Sequence, residues 1–445
     1  MKRSQQTRAL FLALVVAGMT VIQGKPAAAL PIQRVDGDGV EAWLVEEHGN
    51  PLIAVSFAFR GGAVLDPDGK EGLATMAMGL LDEGAGNLKA EDFKRQLEDL
   101  SIRLSFSADR DSVHGTLQTL SEHRQTAFQL LRLALREPRF APDAVARVRS
   151  QILAGLRQDS EDPNAVASRR LFSQIFPQSP YGRPVDGTPE SIERIKTEDL
   201  RTFVRQRLAR DNLVIGVVGD ISPGDLADVL RATFGGLPAT SAPAKVADVK
   251  AKAEGKVTVI DMAVPQSSVV FGQQGIKRDD PRYYTATVLN EAIGGGGLTS
   301  ILFDEVRERR GLVYSVYSAL APYDHAALWL GGAGTRNDRV ADTVKVVRQV
   351  WQQVAENGVD PKLVADAKTY LTGSFPLRFT SSARIAQVLV ATQLENLGID
   401  YLDRRNGLIE AVTADDANQL ARTLLKPEAL SFVVVGRPQD LKPTP

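Results

Sequence analysis

The chain has 445 residues, 43% hydrophobic and 24% charged, an ordinary globular composition with apolar material for more than one core. A formal net charge of -1 leaves no overall field that would favour nucleic acid or an acidic membrane. The absence of cysteine excludes disulfides, thiolate metal sites and cysteine nucleophiles.

Lys2, Arg3 and Arg8 precede an uncharged apolar run from Ala9 to Ile22, which is followed by Gly24, Lys25, Pro26 and the small residues Ala27, Ala28 and Ala29. This order predicts a signal peptide over residues 1–29, cleaved after Ala29. The run is short for a membrane span, which needs roughly 20 apolar residues. With no cysteine to carry a lipid, the expectation is an exported, periplasmic chain without a membrane anchor after cleavage.

The mature chain reads as an N-terminal domain over 30–237, a linker over 238–256 and a C-terminal domain over 257–445. The linker is expected to be exposed, because Pro238 to Ala244 lacks apolar periodicity and an alternating Lys/Ala/Val stretch follows. The two domains share an order of elements. Pro51 to Phe59 alternates as a strand, and Ser267 to Gly272 takes its place in the second half. Helices are predicted at Gly72 to Leu81 and at Tyr283 to Ala292. Strand pairs follow at Ile102 to Ser107 with Ser112 to Leu117, and at Val313 to Ala319 with Ala326 to Gly331. Amphipathic helices come next, at Arg124 to Leu135 and Asp143 to Leu156, then at Arg339 to Glu356 and Pro361 to Leu371. Each half closes on an apolar strand ending in Val-Gly, Asn212 to Gly219 and Ser431 to Gly436. Strand pairs beside runs of helices predict an α+β class: two homologous domains, each a largely antiparallel sheet packed with helices.

Four stretches, in this order, resemble the insulinase/pitrilysin-type, or inverzincin, metallopeptidase family. The first is Arg60-Gly61-Gly62 followed by Gly69-Lys70-Glu71-Gly72-Leu73-Ala74. The second is Pro180-Tyr181-Gly182-Arg183-Pro184 with Gly187-Thr188-Pro189-Glu190-Ser191-Ile192, which is specific to the two-chain branch. The third is Gly294-Gly295-Gly296-Gly297-Leu298-Thr299-Ser300-Ile301-Leu302-Phe303, and the fourth Arg307-Glu308-Arg309-Arg310-Gly311-Leu312-Val313-Tyr314-Ser315-Val316. The resemblance implies two similar α+β domains per chain. Two such chains, or one double-length chain, would close like a clamshell around a peptide and hydrolyse it with zinc.

That chemistry needs H-x-x-E-H on a helix: two histidines on one face bind zinc and the glutamate activates water. Matching Gly72-Leu73-Ala74 to the family pattern puts Thr75, Met78 and Gly79 at the signature positions. The downstream ligand position falls on Gly155 and its acidic companion on Val148, in a stretch without acids from Val148 to Gln158. Of the four histidines, His48, His114, His123 and His325, no two have helical ligand spacing. Glu46-Glu47 and Asp279-Asp280 read as solvated turn charges. No metal is expected on this chain.

Arg307 and Tyr314 match a pair that the family uses to bind substrate near the scissile bond. On residue type alone Arg307 would be a surface ion pair and Tyr314 a strand aromatic on the core. The intact flanking motif favours the substrate-side role, whereas Arg309 and Arg310 read as solvated. Gly294 to Gly297 is either a substrate loop, as in the non-catalytic chain of mitochondrial processing peptidase, or a turn of close backbone approach.

The resulting expectation is a zinc-less, non-catalytic subunit resembling the alpha-type chain of the processing peptidases. A zinc-bearing homologous partner would complete a heterodimer and supply the zinc, and the substrate would be a peptide. Two alternatives stay open: a homodimeric peptide-binding or assembly protein without proteolysis, and a peptidase with a displaced metal site.

Overall fold

The apolar strands of the first half assemble into one six-stranded sheet. In chain order they are β1 (Ile32–Asp36), β2 (Glu41–Glu46), β3 (Leu52–Arg60), β4 (Arg103–Ala108), β5 (Ser112–Leu120) and β6 (Leu213–Gly219), and the sheet order is β1-β2-β6-β3-β5-β4. The second half contributes β7 (Val257–Asp261), β8 (Gln266–Gln274), β9 (Val313–Pro322), β10 (Ala327–Arg336) and β11 (Ser431–Gly436), ordered β7-β11-β8-β10-β9. This is a computed structural model, and it describes residues 30–242 and 245–444. The expected signal peptide over residues 1–29 lies outside the described residues.

Removing β1 leaves two sheets of one topology. In each, a single parallel pair (β2 with β6, β7 with β11) borders an otherwise antiparallel ladder. The match reaches side chains. Phe57 on β3 lies opposite Gly115 on β5, where a Cβ would stand 2.1 Å from the ring. Phe271 on β8 likewise covers Gly331 on β10, at 2.3 Å. In both modules a flat ring fills the space left by a missing side chain and then packs edge-on against a helix aromatic. Phe57 meets Phe234 at 5.6 Å, and Phe271 meets Trp351 at 5.5 Å. The α+β class and the two-module frame stand as the repeated element order predicts.

The halves also trade helices, which apolar periodicity does not single out. Pro163–Ile175, from the first half, covers the outer face of β8 and β11 with Ala167, Leu171 and Ile175. These residues recur every four positions, one helical stripe. Ser382–Leu394, from the second half, covers β3 and β6. Glycines admit both helices closely: a Cβ at Gly216 would sit 2.6 Å from the Ala386 carbonyl, and one at Gly272 would sit 3.3 Å from Leu171. Because of this exchange, Pro31–Pro445 clusters as one unit.

The expected linker is exposed to half-buried along its described residues, and its second part also docks. Val246, Val249 and Ala251 pack against the seam cluster around Leu171, and Val249 N–H donates to the His325 carbonyl at 2.8 Å. Lys252 N–H donates to the Ile175 carbonyl at 2.8 Å. The alternation of this stretch is that of an extended segment with one face half-buried. Tyr181, from the second family stretch, pins the same seam: its hydroxyl donates to Asp111 at 2.5 Å and accepts from His325 N–H at 3.0 Å. Among the described residues no helix is long and apolar enough to cross a membrane.

Candidate functional site

The helix at the signature positions is shorter than periodicity suggests, Leu73–Met78. It starts at Gly72, whose φ of 90° places the chain in the left-handed region. Buried Asp66 caps this start, accepting from Gly72 N–H at 3.0 Å and Ala74 N–H at 3.1 Å. Burial pushes the Asp66 carboxyl up to about 7, against the pull of those two amides and of Arg207 and Arg183.

On this helix the Thr75 hydroxyl is already engaged, donating to the Val185 carbonyl at 3.1 Å. Met78 is fully buried in the first core, among the side chains packed under the sheet. Gly79 ends the helix, and a Cβ there would lie 3.6 Å from Val148 Cγ1. Thus the structure does bring position 79 beside position 148, on the long helix Pro142–Glu161. Gly155 lies two turns further along that helix, exposed, with no atom within 4 Å of where its Cβ would be. One occupied hydroxyl, one buried thioether and two glycines do not fit zinc, which takes imidazole, thiolate or carboxylate donors.

One buried acid of this module is paired with cations. Glu83 is bonded to Arg147, the residue before Val148, and to Lys94 at 2.5 Å. Burial opposes its charge, but these two cations hold it below its ordinary pKa. The histidines stand apart from one another. His48 bonds Asp220 at 2.7 Å, His114 bonds Ser112 at 2.8 Å and His325 bonds Asp248 at 2.9 Å. Among the described residues no group of three or more His, Cys, Asp or Glu side chains is arranged to hold a metal ion.

Arg307 and Tyr314 are brought together. Arg307 lies in the last turn of a wide-turned helix, Phe303–Glu308, and Gly311 at φ 59° turns the chain into β9. The Arg307 guanidinium stacks between two rings, 4.6 Å from the Phe303 centroid and 5.3 Å from that of Tyr314. Its nearest carboxylate, Glu308, is 3.9 Å away. Tyr314 is 81% exposed, so it is not a core aromatic. Arg309 and Arg310 are tied to Asp304 and Glu305 on the surface.

The glycine run divides. Gly294 is a point of close approach, where a Cβ would lie 2.5 Å from Ser318 Oγ of β9. Gly297 has φ +56° and open space around it, and Leu298 beside it is 72% exposed. Gly295 and Gly296 lie over the carboxyl of Glu291, a buried acid that motif reasoning passes over. Its sequence signal is an acid inside the apolar stretch Val288 to Ile293, immediately before the run.

Known proteins place this geometry in a family. A model described as insulinase, peptidase family M16, matches residues 43–189, and one described as the peptidase M16 inactive domain matches residues 194–371. The chain is 29% identical to the non-peptidase homolog YmxG of Helicobacter pylori, over 95% of this chain and 98% of that protein. It is 28% identical to an uncharacterized zinc protease of Mycobacterium leprae, over 79% of this chain and 83% of that one. A crystal structure of a peptidase M16 inactive domain from Pseudomonas fluorescens matches with a TM-score of 0.87 at 29% identity, covering 93% of this chain and 100% of that one. With two models of one family spanning both modules and no ligand at its signature positions, the chain belongs to the insulinase-type M16 peptidase family as a member without the zinc site.

Proposed function

We propose that this chain is the non-catalytic, substrate-binding subunit of a heteromeric zinc metallopeptidase, exported to the periplasm. A homologous partner with an intact H-x-x-E-H supplies zinc and the general base. This chain supplies Arg307, Tyr314 and half of the wall around the peptide.

The observation that carries this reading is the contrast between the two motif sites. The positions for metal ligands hold an engaged hydroxyl, a buried thioether and glycines, whereas the Arg307–Tyr314 stack is assembled and open to solvent. A guanidinium and a phenol held in one geometry are preorganised donors, most useful where negative charge develops on a substrate carbonyl.

Co-purification from the native host followed by a peptide-cleavage assay tests the proposal. The chain alone is expected to leave peptides intact, and the complex with its zinc-bearing homologue to cleave them faster than that homologue alone. A homodimer whose addition leaves the homologue's rate unchanged would replace this reading with a peptide-binding protein without proteolysis. Stoichiometric zinc held tightly by this chain alone would sink both.

A further inference from the structure

The end of β3, the β4–β5 turn, the β9–β10 turn and the start of the segment between the modules line a cavity of about 460 Å³. Two guanidiniums face this space, those of Arg60 and Arg207. Arg60 closes the end of the exchanged helix Ser382–Leu394. It donates to the Gln393 and Leu394 carbonyls at 2.7 and 2.6 Å and to Asn396 Oδ1 at 3.0 Å. Arg207, the last residue of the helix Thr197–Arg207, donates through Nη2 to the Leu65 carbonyl. Its Nη1 is buried with no hydrogen-bond partner. Among the described residues neither guanidinium forms an ion pair, and the partners they have are uncharged. Burial lowers the Arg207 pKa, and Asp66 alone acts against it. A buried cation is costly unless its charge is paired.

The same cavity is lined by acids of unequal standing. Asp111 is engaged, accepting from the Tyr181 hydroxyl and from Asp324 N–H at 3.0 Å. Asp211 accepts from Ser241 N–H at 2.9 Å, and His325 is bonded to Asp248. Asp324 is exposed, and among the described residues its carboxylate has neither a hydrogen bond nor an ion pair. Gly61, at φ 94°, stands on the cationic side. A Cβ there would lie 3.9 Å from Arg207 Nη1, so bare backbone flanks that nitrogen. An unpaired guanidinium and an unpaired carboxylate thus line one space. A compact volume of this size is about 10 Å across, within the range of small-ligand sites. An extended dipeptide spans about 7 Å.

We propose that this cavity binds a zwitterion of dipeptide length, its carboxylate on Arg207 and its ammonium on Asp324. A guanidinium only donates hydrogen bonds and a carboxylate only accepts them, so the two ends of such a ligand answer the two unpaired groups. A simple anion would meet Asp111, Asp211 and Asp324, and a simple cation would meet Arg60 and Arg207. Opposite charges on one small molecule satisfy both sides. The site shares no residue with the Arg307–Tyr314 stack and does not depend on the reading above. Because Arg207 belongs to the first module and Asp324 to the second, a bound dipeptide ties the two together.

Isothermal titration of the full chain tests the proposal, with Ala-Ala compared with N-acetyl-Ala-Ala, Ala-Ala-amide and free alanine. Ala-Ala is expected to bind on the order of tenfold tighter than each of the other three. Asp324→Asn, in an exposed turn, is expected to reduce Ala-Ala to the level of N-acetyl-Ala-Ala while leaving the acetylated peptide unchanged. Arg207→Gln is expected to weaken both of those and leave Ala-Ala-amide unchanged. Should Arg207→Gln fail to fold, Asp324→Asn decides the matter. Arg307→Ala is expected to bind Ala-Ala as the parent does, and a loss there would move the dipeptide to the Arg307–Tyr314 site and overturn the proposal. No binding of Ala-Ala, equal binding of the capped peptides, or parent-like binding by Asp324→Asn overturns it as well. Free alanine binding as tightly as Ala-Ala overturns the dipeptide length.

Discussion

In the N-terminal module, the helix Leu73–Met78 turns Met78 into the core, ties Thr75 to a backbone carbonyl and ends on a glycine. In the C-terminal module, Phe303–Glu308 and β9 hold Arg307 and Tyr314 against each other, with the tyrosine ring in solvent. Apart from β1, the sheets beneath are equivalent strand for strand. The difference lies in which side chains were taken up by packing. A position relieved of metal chemistry is free to serve the core, as Met78 does. An aromatic left in water gains little from burial, so stability does not account for Tyr314, and its exposure is what the proposed role in recognition requires.

The strongest way to break this contrast is to restore an acid at the vestigial site. Met78→Glu places a carboxylate in a fully buried position without a partner, and should cost about 3 kcal/mol or more. Thermal unfolding measures it. An unchanged midpoint would mean that position 78 opens toward a cleft where a glutamate could act.

Arg307→Ala and Tyr314→Phe address the other side. In the reconstituted complex each should slow cleavage by about tenfold or more while leaving the unfolding midpoint near that of the parent. A midpoint drop with normal turnover would make the pair structural and erase the contrast.

A smaller effect belongs to Asp66, which caps the vestigial helix. Its folded pKa of about 7 lies above the ordinary 3.8, so the folded state holds the extra proton between those values. The stabilisation is full below the lower value and is lost as pH rises through the upper one. The unfolding midpoint should therefore fall between about pH 4 and about pH 7, and Asp66→Asn should flatten that slope. An equal slope in the variant would assign the titration elsewhere.

Smallest is Thr75→Val, which removes one hydrogen bond to the Val185 carbonyl and should cost about 1 kcal/mol. No loss would mean that the threonine is idle, sharpening the picture of an abandoned site.

Much of the frame was legible because it is written in local patterns. Ser431–Gly436 forms the predicted strand, and Arg124–Arg136 and Pro361–Gly373 follow the predicted helices to within a turn. The site was legible in part for the same reason: loss of H-x-x-E-H and retention of Arg307 and Tyr314 are matters of residue identity. The helices Pro163–Ile175 and Ser382–Leu394 escaped notice as ties between modules, since each buries its stripe against the other half's sheet. Glu291 escaped as well, because an acid at a helix end reads as solvated until its cover is seen.

By itself, the sequence determined the absence of zinc donors at the signature positions and the presence of two matched sets of strands and helices. Both follow from residue chemistry and short-range periodicity, which need no knowledge of distant neighbours. Only the tertiary structure decided that the modules exchange helices, that residues 246–252 are docked in the seam, that Tyr314 faces water and that Glu291 is buried without a partner. Burial and pairing depend on segments far apart in the chain, and those meet only when the fold closes.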